Sequence, residues 1–476
     1  MDFEDRILRD LVRRGVRYAD IRRTVTENER VHVRNGSVES IASALERAVG
    51  VRVLVGNGWG FAADTDDSDE ALKRAALRAL EVAAASHIAA SAPVTLSETD
   101  AVKGSWSSQW EIDPFSVPID RKIDHLLAAT EPLRGDARIH QVTGEISSYR
   151  QRKEFASTEG SRIEQTTTEM GAGIELLAIS GSEVQRRTWP NPFGGDYQAR
   201  GWELIDELDL AGNGPRIRDE AIGLLTAPKA PSGRFDLIIG SSQLALQVHE
   251  SCGHPVELDR ALGTEISLAG GSFLQPGMLG SFRYGSPLVN LTADATIPRA
   301  IGSFGWDDEG VPAQRFHLVK DGLFVNYLTG RDTAPVVRGS SNGTVRAETA
   351  NRIPMIRMTN ISLEPGEGTL EELIADTRHG ILVDTNRAWS IDDVRLNFQF
   401  GCEIAWEIVE GKIGGMLRNP MYTGSTPDFW RSCDAVAGPG TWRVWGLPNC
   451  GKGDPMQTMR VAHGAPAARF RQVEMG

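Results

Sequence analysis

A chain of 476 residues with 40% apolar and 24% charged side chains has the balance of a folded protein large enough for two to three domains. Its formal charge of −13 argues against nucleic acid or an anionic membrane as a partner, and no run of 18 apolar residues is present to form a transmembrane helix. The four cysteines, Cys252, Cys402, Cys433 and Cys450, are too dispersed for a disulfide framework, and residues 1–6 carry no leader pattern, so a reducing cytoplasm is the expected location.

In chain order, Ile7, Leu8, Leu11 and Val12 form a first helical stripe. Asp67 and Glu70 have the spacing of a capping box opening a second helix, with Leu72, Ala76, Leu80 and Ala83 turned inward. Ile119, Ile123, Leu126 and Leu127 mark a third helix, and residues 51–55 read as a strand. From Ile139 to about Arg187 the chain alternates, with turns at Glu159-Gly160 and Ser180-Gly181, which predicts an antiparallel meander with one wet face. Residues 227–233 are the best linker, dividing an N-terminal α+β lobe over 1–226 from a mostly-β lobe over 227–476. The second lobe opens with a strand at 235–239, and a helix capped by Ser241 or Ser242 follows. Asp321-Gly322 and Glu410-Gly411 each join two alternating runs as hairpins.

The chemistry concentrates in His249-Glu250-Ser251-Cys252-Gly253-His254. Neutral imidazole is a common zinc ligand, and a carboxylate beside a metal can accept a proton from water. The spacing is not that of H-E-x-x-H, where the histidines share a helical face at i and i+4. At i and i+5 they diverge by about 140° on a regular helix, so something must distort or end it. One reading ends the helix. His249 and Glu250 occupy its last turn, Gly253 goes left-handed, and Pro255 pushes His254 out of the helical region. A π-bulge is the other way to align i with i+5. Cys252, between the histidines, reads as packed. Two histidines need a third protein ligand, and Cys450 in the turn-rich segment 447–453 is a candidate.

These two segments, with Pro255-Val256-Glu257-Leu258-Asp259 after the first and Asn449-Cys450-Gly451-Lys452 forming the second, resemble the signatures of TldD-type members of the TldD/PmbA peptidases. Ser286-Pro287-Leu288-Val289 before Gly305-Trp306-Asp307-Asp308-Glu309-Gly310 agrees, as does Arg346-Ala347-Glu348 before Arg357-Met358-Thr359-Asn360. The likeness covers essentially the whole chain; Pro255 stands where the family often has glycine. It implies an α+β fold of two lobes, each a curved antiparallel sheet with flanking helices. It implies one Zn2+ per chain on His249, His254 and Cys450, with Glu250 as general base. It also implies a second subunit that helps enclose the active site, either another copy or a PmbA/TldE-like homologue lacking the motif. This chain keeps the motif and so resembles the active subunit.

Other polar groups carry alternatives. Glu257 reads as a carboxylate orienting a ligand histidine or as a surface group. Arg346 and Glu348 read as a grip on a peptide terminus or as an ordinary ion pair. Asp307-Asp308-Glu309 reads as a second metal site or, better, as a solvated turn or a structural or substrate-lining group. His317 and His379 read as structural, and Gly451-Lys452-Gly453-Asp454 lacks the P-loop pattern. The expectation is a cytoplasmic zinc metallopeptidase acting on small or unfolded peptides. A metal-dependent amide hydrolase for a small metabolite and a non-catalytic peptide-binding subunit stay open.

Overall fold

The computed structural model describes residues 2–90, 92–267 and 270–476. Its first half is built on eight strands: β1 (Tyr18–Arg34), β2 (Ser37–Val55), β3 (Gly58–Asp64), β4 (Lys103–Ser107), β5 (Ile139–Ser157), β6 (Arg162–Ser180), β7 (Glu183–Trp189) and β8 (Asp196–Gln198). They form one sheet in the order β3-β2-β1-β5-β6-β4, with β7 and β8 also on β6. The alternating stretch folds as expected. β5, β6 and β7 are antiparallel and turn where Gly160 and Gly181 supply positive φ.

Helix α1 (Asp2–Arg13) packs Leu8 and Leu11 inward, whereas Val12 faces solvent. Helix α2 (Asp69–Ala89) buries Leu72, Ala76 and Ala83 as expected, but the Asp67–Glu70 capping box does not form. Ser68 is the cap, its hydroxyl accepting the Ala71 N–H, and Asp66 fixes that hydroxyl by accepting from it. Helix α2 lies directly on β3 because Gly60 has no side chain: a Cβ there would sit 2.1 Å from the Ala79 carbonyl. Helix α3 (Ile119–Thr130) and, after α4 (Glu203–Glu207), helix α5 (Leu210–Leu224) cover the sheet through Leu126, Ile217 and Ala221, joined to Val31, Val33 and Ile146.

The second half opens with β9 (Gly233–Ile239), whose Leu237, Ile238 and Ile239 are wholly buried. Two small sheets follow. β10 (Leu291–Asp294), β11 (Arg315–Lys320), β12 (Leu323–Phe324) and β15 (Ile361–Leu363) make a small sheet, and β13 (Val345–Arg346) pairs with β14 (Met355–Ile356). A larger sheet joins β9 to β16 (His379–Ile391), β17 (Asn397–Val409), β18 (Lys412–Leu417), β19 (Met421–Ser425), β20 (Cys433–Val436) and β23 (Ala468–Met475). Its order is β16-β9-β23-β19-β17-β18, and β16 also pairs with β17, so five of these strands close into a ring. Both expected hairpins are present, with Asp321-Gly322 and Glu410-Gly411 at positive φ. The hairpin of β21 (Arg443–Lys452) and β22 (Gln457–Ala465) completes the frame.

Candidate metal centre

Helix α6 (Ser241–Val248) leaves β9 at once, with Gly240 as its cap. Neither expected serine caps it: Ser241 donates to the Ala465 carbonyl and Ser242 to Asp384. The helix does not end at the motif. It widens into one π-turn over His249–Gly253, closed by the His254 N–H on the His249 carbonyl at 3.2 Å. Gly253 is not left-handed, and His254 keeps helical angles despite Pro255. Tertiary bonds explain why. The Tyr284 hydroxyl donates to the Ser251 carbonyl at 2.8 Å, the Trp430 indole donates to the Ser251 hydroxyl at 2.9 Å, and Met358 packs where a Cβ of Gly253 would be.

The wider turn puts both histidines on one face. Their rings are 4.8 Å apart and nearly perpendicular. Cys450 reaches them from β21, a strand rather than the expected turn, at a register shift in the hairpin. One donor atom each from His249, His254 and Cys450 lies within 4.8 Å of the others, and all three residues are buried. Cys450 Sγ is 3.9 Å from His254 Nε2.

Glu257 is wholly buried, which rules out a surface role, and its Oε2 accepts the His254 Nδ1–H at 3.0 Å. Lys452 Nζ stands 3.5 Å from its other oxygen and bonds both oxygens of Asp259 at 2.8 Å. Burial pushes the Glu257 carboxyl up, but Lys452, His254 and Arg260 together hold it well below the usual range. Burial pushes His249 down to about 4 and also lowers His254, which favours the neutral imidazole that can ligate a metal. For Cys450, burial opposes ionisation, yet His254 and Arg357 outweigh it and lower the thiol. Two imidazoles lowered toward the neutral form and a thiol lowered toward thiolate, all three buried, are a donor set that fits zinc.

Three residues at the site were not legible in the sequence. His463 on β22 has its Nε2 2.7 Å from His249 Nδ1. The Trp389 indole donates to Glu250 Oε1 at 2.8 Å, and the Arg395 guanidinium holds Glu250 Oε2 at 2.7 Å. They come from distant strands and loops, and no local spacing announces them.

Other expected groups fall elsewhere. Arg346 and Glu348 do not pair. Arg346 donates to the carbonyls of Met358 and Arg460, Glu348 accepts the Thr458 N–H, and both line a polar cavity of about 250 Å³. Asp307-Asp308-Glu309 is not a solvated turn: all three are buried, Asp308 on Lys153 and Glu309 on Arg52. His317 lies on β11, and His379 is exposed beside Glu410.

A buried His–His–Cys cluster beside a fixed carboxylate, carried on an α+β frame, is a donor set that could hold a metal ion. The sequence matches the PmbA/TldA metallopeptidase domain 1 over residues 19–83, the central domain over 112–225 and the C-terminal domain over 232–476. The chain belongs to the PmbA/TldD metallopeptidase family. It is 29% identical to a metalloprotease of Methanocaldococcus jannaschii over 422 residues, covering 88% of this chain and 89% of that protein. It is 25% identical to a metalloprotease TldD homolog of Haemophilus influenzae, covering 97% and 93%. Its fold matches the crystal structure of TldE from Thermococcus kodakarensis with a TM-score of 0.74, 17% identity and the whole of both chains covered.

Proposed function

We propose that the chain is a zinc metallopeptidase that hydrolyses peptide bonds of small or unfolded peptides, with His249, His254 and Cys450 holding one zinc and Glu250 as general base. The observation that carries this reading is the convergence of the three donor atoms within 4.8 Å, with a buried carboxylate on the same turn. Bound there, zinc would polarise a scissile carbonyl and acidify water. Glu250 takes the proton of the attacking water and returns it to the leaving amine. Trp389 and Arg395 fix the carboxylate for that transfer by holding one oxygen each. Glu257 orients His254, and Lys452 balances the buried charge of Glu257 and Asp259. Arg346 and Glu348 line the cavity available to substrate.

We place the enzyme in the cytoplasm, divided near residue 226 into two lobes. Its second subunit is a copy of itself or a TldE-like homologue; the TldE fold match supports the kinship of such a partner. Among the described residues no helix is long and apolar enough to cross a membrane. The test is the metal content of the purified chain, by mass spectrometry, beside His254→Ala and Cys450→Ala, followed by cleavage of an unstructured peptide. One zinc per chain, lost in both variants, and zinc-dependent cleavage are expected. A wild-type protein that takes no zinc when supplied with it, alone and with a partner subunit, would overturn the reading.

A further inference from the structure

His249 poses a question of proton counting. A ring nitrogen can ligate a metal only if it carries no hydrogen, and a neutral imidazole has one N–H on either of two nitrogens. His463 settles which. Its Nδ1 is 3.0 Å from the carbonyl oxygen of Ile361, and a carbonyl only accepts, so His463 carries its hydrogen on Nδ1. Its Nε2 is then bare, and it faces His249 Nδ1 at 2.7 Å. One hydrogen must lie between those two nitrogens, and it belongs to His249. The free nitrogen of His249 is therefore Nε2. The other histidine follows the same rule through a different acceptor. Glu257 receives its Nδ1–H and leaves His254 Nε2 toward Cys450.

We infer that His463 is a positioning residue for the metal centre: it locks His249 in the Nδ1–H tautomer and, anchored on the Ile361 carbonyl, fixes the plane in which Nε2 is offered. The rings of His249 and His463 stand 4.8 Å apart and perpendicular, so His463 sets the orientation of His249 as well as its protonation. His463 is buried on β22, a strand whose pairing with β21 also carries Cys450, so one hairpin delivers a ligand and the support of another. A histidine here accepts the hydrogen bond without adding charge, whereas Glu257 brings a charge that Lys452 must offset. This inference rests on the zinc reading above, because positioning matters only toward a metal.

The experiment separates the two. Nitrogen-15 spectra of histidine-labelled, metal-free protein report which nitrogen of His249 is protonated, with no metal involved. Zinc affinity is measured in parallel by competition with a chromophoric chelator, for wild type, His463→Phe and His463→Gln. The Phe ring fills the space without an acceptor, and the Gln side-chain carbonyl can accept. Expected are the Nδ1–H tautomer in wild type, a mixture in the Phe variant with zinc affinity lowered roughly 10- to 100-fold, and affinity within about threefold of wild type in the Gln variant. Wild-type His249 protonated at Nε2 would overturn the inference even if the Phe variant fails to fold. So would a Phe variant with unchanged tautomer and unchanged affinity. A wild type in the Nδ1–H tautomer that binds no zinc would support the lock and sink the metal reading instead.

Discussion

At the scale of single residues the centre combines groups of very different legibility. The motif His249-Glu250…His254 with Cys450 names the three side chains that meet and the carboxylate on the same turn, because imidazole, thiol and carboxylate are the types such chemistry needs. His463, Trp389 and Arg395 stayed hidden because each acts through a contact made only in the folded chain. Two outcomes test the roles. Glu250→Gln keeps the side-chain shape, gives up one of the two accepted bonds and removes the proposed base, so zinc content should hold while kcat for a peptide falls roughly 100- to 10,000-fold. Cys450→Ser replaces the thiolate with a neutral hydroxyl, so zinc should be lost to a chelator that leaves the wild type loaded.

At the scale of elements the alternating and hairpin patterns were readable, since period-two burial and paired turn residues are local. The caps were not, and at the motif it is the π-bulge alternative, not the helix end, that forms. Ser68 and Gly240 displaced the expected caps, and the chain beyond Val248 continues where glycine and proline argued for a stop. Tyr284, Trp430 and Met358 override those local preferences. An added methyl should therefore reveal the packing against the turn. Gly253→Ala sets its Cβ about 2.2 Å from the present Met358 sulfur. Thermal unfolding should show a loss of about 1–3 kcal/mol, partly recovered when Met358→Ala is added.

At the scale of the molecule, the buried acids of the second half are answered by bases from the first sheet. Lys153 of β5 bonds both oxygens of Asp308, and Arg52 of β2 bonds Glu309 at 3.1 Å. Lys153→Met would leave Asp308 without its lysine, at a cost of about 3–5 kcal/mol, read in chemical denaturation. The sequence offered the acidic run but not its burial, because the partners lie more than 150 residues away. A titration signature should accompany this. Burial, only partly offset by Arg460 and Arg346, raises Glu169 from 4.5 to about 7. The folded protein thus holds a proton that the unfolded chain releases. Its stabilising effect is complete below pH 4.5 and is lost as pH rises through about 7. Stability measured across that window should slope downward in wild type, and the slope should shrink in Glu169→Gln.

The π-turn has one more consequence. It amounts to a helix with a single surplus residue, so the motif stands one position out of phase with the familiar H-E-x-x-H. Deleting Ser251 would restore the familiar spelling and an unbroken α-helix. It would also remove the carbonyl and hydroxyl that Tyr284 and Trp430 grip. Conformity to the commoner pattern would keep the two imidazoles on one face yet strip the turn of its two anchors, because here the wider turn is what brings histidines five apart into register.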